Sequence, residues 1–375
     1  MARGKRNGVL IAGGGLAGSL AAIAMAKLRP DVPLLLVEAS DQFGGEGILS
    51  FLEPELDEEQ RGLVAPLIFQ HAPACYVAFP GYSRKLKIGH DSIRAADLDG
   101  LVRETLRPDQ YRLNTKVVAA RETELLLPGG EAIRADGVID ARGAANLSVL
   151  RLGWRRIVAR QYRFGRPHRV DLPVLADGTV EQVDGLRFFR CVPLSEDRLL
   201  VESHCLADQP DPDSEDTGAA IDGYVAARGW KEGVVEDEQA VVLPLPLGGD
   251  VEALWRVGGA RVARLGVRGG FFHPATGSAL ADAARTALML AAQKDFGGAA
   301  LRDLFEGEAV RLWKRGEVHR SFNAALFDGP VQERLRMMAE LYRADTRTIS
   351  RFHRLELGVL GRMKIASLRK SAPVR

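Results

Sequence analysis

The stretch Val9-Leu10-Ile11-Ala12-Gly13-Gly14-Gly15-Leu16-Ala17-Gly18 decides how the remainder of the chain is read. An apolar run ends in Gly-x-Gly-x-x-Gly (Gly13, Gly15, Gly18), and a small-residue helical pattern, Ser19 to Leu28, follows at once. About twenty residues after Gly18 a second apolar run, Pro33 to Val37, is closed by Glu38. Strand, glycine turn, helix, strand and acid in that order form the βαβ unit that binds a dinucleotide. Gly13 permits the tight turn, Gly15 lets backbone approach a pyrophosphate, and Gly18 lets helix pack on strand. The phosphates then meet the free N–H groups of a helix N-terminus. Glu38 can accept hydrogen bonds from a ribose diol.

The next residues specify the nucleotide further. Gly44-Gly45 stands six residues beyond Glu38, and this extended fingerprint resembles that of FAD-dependent two-domain flavoproteins. Farther on, the apolar run Gly137 to Asp140 ends in Asp140-Ala-Arg142-Gly143, an acid–glycine ending found where flavoprotein chains return to the nucleotide domain. A last glycine-rich segment, Arg268-Gly-Gly-Phe-Phe-His-Pro-Ala-Thr-Gly277, follows a short strand expected at Arg261–Gly266 and precedes a helix expected over Ser278–Lys294. Its backbone amides can meet a flavin phosphate or ring carbonyls. The candidate FAD contacts are Gly13, Gly15, Gly18, Glu38, Gly44, Gly45, Asp140, Gly143, Gly269, Gly270, His273, Pro274, Thr276 and Gly277. For His273, a loop-stabilising hydrogen bond is the alternative to a flavin contact.

Composition sets the outer limits. The 375 residues suffice for a large core, and the 46% hydrophobic content is ordinary for a globular protein. No apolar run approaches the ~20 residues of a membrane span. The N-terminal Met1-Ala-Arg-Gly-Lys-Arg6 leaves no room for a secretory core before the first strand, so a cytoplasmic protein is expected. Cys75, Cys191 and Cys205 are too far apart for a zinc pattern or a disulfide framework, and no two histidines share metal-ligand spacing on one helix. No metal is expected. Basic–aromatic interleaving and helix-turn-helix signatures are absent, so nucleic acid is not an expected partner. From Arg343 onward there are nine Lys or Arg against Asp345 and Glu356, with Ile349, Phe352, Leu355, Val359 and Met363 at helical spacing. Such a basic amphipathic helix can lie on an anionic membrane; a helix packed on the core with a solvated basic face is the alternative.

These patterns predict an α/β fold: a Rossmann-like FAD-binding domain, an inserted antiparallel β-sheet substrate domain, and a helical C-terminal region. Residues 1–153 form the first part of the FAD domain, with 60–90 able to belong to the substrate side. Residues 154–250 form the sheet domain, 251–298 return to the FAD domain, and 299–375 are helical with the basic tail. Within the insert, strands are expected at Arg156–Phe164, Gly185–Pro193, Arg198–Cys205 and Gln239–Leu243, and a helix at Thr217–Arg228. Helices are also expected from about Glu53 to His71 and from Ser92 to Leu106, and a strand over Lys116–Ala120. Asp208 to Asp216 reads as an exposed loop.

Over nearly its whole length the chain resembles bacterial lycopene β-cyclases. The residues that carry the likeness are Gly13–Gly18, the Glu38–Gly45 segment, Ser50-Phe51, Ala65-Pro66-Leu67, Val138 to Asp140 with Arg142-Gly143, and Pro193-Leu194-Ser195. Leu199-Leu200-Val201-Glu202, Tyr224 with Gly229-Trp230, Phe272-His273-Pro274 with Thr276-Gly277, Trp313 to Arg315, and Arg320 with Asn323 complete it. The resemblance implies FAD in reduced form, NADPH as a candidate reductant, and redox-neutral cyclisation of an acyclic carotenoid or another isoprenoid. It also implies that Glu202, the glutamate of the Leu-Leu-x-Glu stretch, is the essential acid. Protonating an isolated alkene needs a carboxyl that is neutral at working pH, and apolar surroundings such as Leu199, Leu200 and Val201 would raise its pKa. Because a carotene is insoluble in water, the resemblance favours a peripheral protein on the inner face of the cell membrane, held through the basic tail.

Two stretches depart from the family pattern. Glu46-Gly47-Ile48-Leu49 replaces Asn-His-Thr-Trp, and Ser203-His204-Cys205-Leu206 replaces Asp-Thr-Tyr-Tyr. The loss of a tryptophan and two tyrosines removes aromatic faces able to stabilise a cation. Two other readings of the same fold compete with cyclisation: an FAD-dependent isoprenoid monooxygenase or desaturase, and a non-catalytic isoprenoid carrier. Val267-Arg268 after Gly266, where hydroxylases usually carry an acid, counts against the hydroxylase.

Overall fold

The glycine motif sits at the centre of a parallel sheet. The computed structural model describes residues 8–182, 185–210, 214–230, 232–258 and 261–370. Val9–Ala12 is flanked by Leu34–Val37 on one side and Gly137–Asp140 on the other, with Tyr111–Arg112 and Ala263–Arg264 at the edges, all parallel. The three central strands are apolar and almost wholly buried, as a sheet covered on both faces requires. Helix Leu16–Leu28 makes the crossover and is buried through Met25, packed against helix Leu280–Ala291. Its run of Ala and Gly permits that close approach.

A second, seven-stranded sheet is built mainly from the middle of the chain. Its order is Gly233–Gly249, Leu150–Phe164, Arg198–Ala207, Leu186–Pro193, Val174–Asp177, Cys75–Phe79 and Tyr82–Leu86. All neighbours are antiparallel except Val174–Asp177 with Cys75–Phe79. One face is covered by helix Ser214–Ala227, through Tyr162, Phe189, Val201, Ile221 and Tyr224. C-terminal helices pack toward the other, where Phe188 and Leu206 meet Phe322, Leu326 and Met338. The fold is therefore the expected mixed α/β architecture, with an antiparallel insert and a helical C-terminal region.

Several local expectations are corrected. The Glu53–His71 helix is broken into a short turn Glu53–Glu55, helix Glu58–Val64, a turn Ala65–Leu67 containing Pro66, and strand Ile68–Ala72. Pro66 withholds an N–H, and the chain leaves the helix around it. The first residues of the expected Ser92–Leu106 helix belong to strand His90–Arg94, which pairs with Ile48–Leu52 and Ile68–Ala72; the helix itself is Asp97–Thr105. Two available strand partners outweigh local helical spacing there. Of Lys116–Ala120 only Ala119–Ala120 is a strand. The expected Asp208–Asp216 loop is described only in part: helix Ser214–Ala227 begins within it, and 211–213 lie outside the described residues.

The tail is likewise two helices, not one. Thr346–His353 and Val359–Lys370 are separated where Leu355 adopts φ 57°. Ile349, Phe352 and Leu355 are buried in the core, whereas Val359, Leu360 and Met363 are 75%, 82% and 64% exposed. The apolar spacing thus mixes a core-facing set with a solvent-facing one. Among the described residues no helix is long and apolar enough to cross a membrane.

Candidate active site

A cleft of about 510 Å³ opens at the end of the central strand, at the glycine motif, and is lined by Gly13, Gly15, Glu38, Lys116, Arg142 and Gly143, among others. Gly13 has φ 101°, and a Cβ there would stand 2.7 Å from the Ala141 carbonyl carbon. A Cβ on Gly18 would collide with the Gly13 carbonyl oxygen, whereas one on Gly15 would meet nothing within 4 Å and would project into the cleft's free space. The Gly14 amide donates to Glu38 Oε2 at 2.5 Å, while Oε1 accepts from the Ser40 amide and hydroxyl at 2.9 and 2.8 Å. Burial works against the Glu38 charge, but these hydrogen bonds hold its carboxyl below the ordinary range. Gly44 (φ 85°) donates to Gly14 O at 2.8 Å and is pressed against Ala95, which fixes its identity sterically; Gly45 (φ 85°) has open space around it.

The other end of the motif is held by charge. Asp140 is buried at the end of its strand and pairs with Arg142 at 2.8 Å and Arg268 at 3.3 Å. Arg268 in turn donates to Gly143 O and Arg142 O. Asp140 does not line the cleft; it fastens the two arginines. The cleft offers what a dinucleotide pyrophosphate needs: small-residue backbone at a helix N-terminus, a diol acceptor, and cations at Lys116 and Arg142. Those two cations and Arg268 are not among the contacts expected from sequence, although each adjoins a strand end or glycine turn that is.

The returning loop is a wall shared by two cavities. Gly266, Val267 and Ala279 line the dinucleotide cleft, while Ala275, Thr276 and Ser278 line a second pocket. The remaining expected loop residues shape the wall. Gly270 is left-handed (φ 80°), the Gly269 carbonyl accepts from Trp255 Nε1, and Gly277 (φ 73°) presses on Leu243. The His273 Nδ1 accepts from the Ala275 and Thr276 amides, both at 3.2 Å, and its Nε2 donates to Phe352 O at 3.2 Å. Burial, with His353 nearby, lowers its pKa to about 4. Its ring is thus committed to holding the loop. The Pro274 carbonyl accepts from Asn323 Nδ2 at 2.6 Å and the Thr276 carbonyl from Arg155 Nη1 at 3.0 Å.

The second pocket lies between the large sheet and the C-terminal helices. Its apolar wall includes Phe188, Leu206, Phe322, Met338, Leu341 and Phe352; its polar wall has Arg155, Arg190, Glu55 and His353. Glu202 stands behind Arg190. The two are cross-strand partners in register, and Arg190 Nε donates to Glu202 Oε2. The His204 Nε2 lies 3.2 Å from the same oxygen, and its Nδ1 accepts from Arg155 Nε at 3.1 Å. That second bond places the ring proton on Nε2, where it is donated to Glu202. Phe188 stacks on the His204 ring at 4.9 Å.

This arrangement corrects the expected environment of Glu202. Burial does push its pKa upward, but Arg190 and then His204 overcome that, and the carboxyl lies well below the usual range. Burial, with Arg155 nearby, lowers the His204 pKa to about 3. The physical reason is strand alternation: Leu199 and Val201 point through the opposite face, into the core under helix Ser214–Ala227. The neighbours that matter are the cross-strand Arg190 and the residue two positions on, His204. Of the four residues that depart from the family pattern after Glu202, the same alternation brings His204 and Leu206 to the pocket side.

The family model "Lycopene cyclase protein" matches residues 8–374. Lycopene beta-cyclases of Pseudescherichia vulneris and Pantoea ananas are 33% and 32% identical over 367 residues, which cover 98% of this chain and 95% of each of theirs. Among solved structures, a geranylgeranyl bacteriochlorophyll reductase-like protein from Thermoplasma acidophilum aligns with a TM-score of 0.63 at 13% identity, over 96% of this chain and 95% of that one. A flavin-dependent brominase aligns with a TM-score of 0.61 at 16% identity, over 98% of each chain. These two structural likenesses concern the fold.

Two predictions follow from this geometry. Gly18→Ala is expected to cost roughly 1–3 kcal/mol in urea unfolding, whereas Gly15→Ala leaves stability unchanged and reduces dinucleotide retention on gel filtration. Equal stability of the two variants would contradict the assigned roles. Arg190→Met leaves a buried carboxylate without its main partner, at a cost of about 3–5 kcal/mol near neutral pH. In the wild type Glu202 is depressed, so its pairing stabilises above the unfolded carboxylate pKa and is lost only as pH falls through the depressed value. In the variant burial raises it instead, so the penalty shrinks on acidification from about pH 7 to about pH 5. A penalty independent of pH would show that Glu202 is not the group left exposed to burial.

Proposed function

Because the chain belongs to the lycopene cyclase family, we propose that it closes the ends of an acyclic carotenoid into rings, with FAD bound and no net redox change. The observation that carries this reading is the shared wall: one loop lines both a dinucleotide cleft and an apolar pocket, and behind the pocket lies a buried carboxylate held by an arginine. Gly13, Gly15, Glu38, Gly44, Gly45, Lys116, Arg142 and Gly143 are the residues proposed to hold the nucleotide. Bound there in reduced form, the flavin supplies negative charge that favours a nearby cation.

The chain's own residues supply the remaining requirements. Cyclisation begins with a proton added to a terminal alkene, and the tertiary cation is attacked by the neighbouring alkene. Burial by itself favours a neutral Glu202, and the contact with Arg190 reverses that preference. Displacement of Arg190 as the pocket fills frees the carboxyl to take up a proton and deliver it. Phe188, Phe322 and Phe352 place aromatic rings in the pocket wall, where their faces can stabilise the cation. The test is anaerobic conversion of an acyclic carotene by protein with reduced flavin. Glu202→Gln is expected to lose activity by on the order of a hundredfold or more while retaining flavin; full activity with flavin bound would remove Glu202 from the mechanism.

A water-insoluble hydrocarbon reaches such a pocket from a bilayer. The exposed Val359, Leu360 and Met363 form an apolar tip on a helix that also carries the exposed Arg362 and Lys364. That helix packs on Glu317–Asp328 and Val331–Arg343, which supply Phe322, Leu326, Met338 and Leu341 to the pocket. We propose this tip as the peripheral membrane contact. Co-sedimentation with anionic vesicles is expected to fall severalfold when all three tip residues are changed to Ser. Unchanged binding would place the membrane contact elsewhere. Truncation after Ala344 is the poorer test, because it also removes the buried Ile349 and Phe352.

A further inference from the structure

The cyclisation needs a second group, one that takes the proton away from the cyclised cation, and Glu202, behind Arg190, is not part of the pocket wall. Three histidines, His273, His319 and His353, cluster around Phe352. Two of them are committed: His273 and His319 both meet the Phe352 carbonyl oxygen through Nε2, at 3.2 and 2.9 Å. His353 differs. It is only 7% exposed, and neither of its ring nitrogens has a hydrogen-bond partner among the described residues. Its Nδ1 stands 3.4 Å from Glu55 Oε1, close enough to pair with that carboxylate once the ring carries a second proton.

Glu55 is itself fixed. Its Oε1 accepts from the Leu52 amide at 3.0 Å. Burial opposes its charge, yet His353 and that amide hold its carboxyl below the ordinary range. His353 and Glu55 both line the apolar pocket and also an adjoining chamber bordered by Asp57, Asp282, Arg285 and Arg315. An imidazole with one nitrogen facing a carboxylate and the other unengaged, in the wall of an apolar pocket, has the form of a general base. A buried unpartnered nitrogen is costly unless something uses it.

We propose that His353, oriented by Glu55, is the base that removes the ring proton and thereby selects the position of the ring double bond. The inference rests on the cyclisation reading. The Nε2 lone pair takes a proton from a carbon adjacent to the cationic centre, and the C–H electron pair becomes the new alkene bond. The imidazolium so formed is paired with the Glu55 carboxylate. One proton is added to the substrate at the start and one is removed at the end, so no oxidant or reductant is consumed. Glu55 is a positioning residue: it sets the tautomer and steadies the cation formed on the ring.

The test uses holoprotein with reduced flavin and an acyclic carotene, comparing variants at equal bound flavin so that loss of folding is separated from loss of the base. His353→Phe, which keeps a flat ring, and His353→Ala are expected to lower turnover on the order of a hundredfold. Their residual product is expected to scatter among ring-alkene isomers and the tertiary alcohol formed by water capture, and added imidazole should partly restore His353→Ala. Glu55→Gln is expected to slow turnover less and leave the isomer ratio unchanged. Wild-type rate and isomer ratio in His353→Phe would overturn the inference. So would a lowered rate with an unaltered isomer ratio and no response to imidazole in His353→Ala. Failure of the wild type to cyclise any acyclic carotene would instead remove the cyclisation reading, and this inference with it.

Discussion

Arg190 and Glu202 face each other across one rung of a buried sheet, and much of the pocket's electrostatics follows from that pair. Removing two such ions from water costs several kcal/mol each, and their attraction offsets this only when further hydrogen bonds complete the set. Here the set extends sideways: His204 donates to the same carboxylate oxygen, Arg155 donates to His204, and Arg155 also holds the Thr276 carbonyl. An apolar pair would fill the same space without the desolvation cost. A ladder of this kind on the pocket side of a sheet is better explained by charge that something else uses. Because Arg155 joins it to the returning loop, a change at one end is felt at the wall between the two cavities.

That wall also explains why the C-terminal helices are part of the site. The loop contains left-handed glycines and little regular structure, so its conformation depends on outside contacts. Asn323 holds the Pro274 carbonyl, and the Phe352 carbonyl accepts from His273. Both partners come from helices that roof the apolar pocket. The same layer therefore shapes the loop, encloses the pocket and carries the exposed apolar tip. Its hydrophobic residues fall into two groups, with Ile349 and Phe352 buried while Val359, Leu360 and Met363 face solvent.

The nucleotide half was legible because its determinants are local. Gly13 needs its positive φ, Gly18 faces a backbone oxygen, and Glu38 ends the adjacent strand; each constraint lies within one βαβ unit. The second pocket was less legible because its determinants are cross-strand. Arg190 meets Glu202 through a register set by hairpin pairing, which spacing along the chain does not reveal. Strand period alone would have shown that Leu199 and Val201 point away from Glu202 and that His204 points with it. Glu55 was hidden inside a supposed helix, although Pro54 and Pro66 flank the region where the chain breaks up. The tail misled for a related reason: helical three- and four-residue spacing across Leu355 looked continuous, but a left-handed residue there rotates one helix relative to the next.

The departures from the family pattern acquire a physical meaning from these contacts. Beside Glu202, His204 places a ring that donates to it, and Phe188 stacks on that ring. Leu206 places an aliphatic side chain in the pocket at a position where the family carries an aromatic one. Phe188, Phe322 and Phe352 line the pocket with aromatic rings, and His204 adds a hydrogen-bond donor to the carboxylate. The helical side of the pocket carries Phe322 and Phe352, whereas the sheet side carries Phe188 together with the cationic Arg155 and Arg190. The two sides are physically different, so an asymmetric cation has a preferred orientation between them. In the proposed cyclisation, orientation of the cation relative to the group that removes its proton would fix the identity of the product, and the asymmetry of the pocket comes from residues on three separate segments.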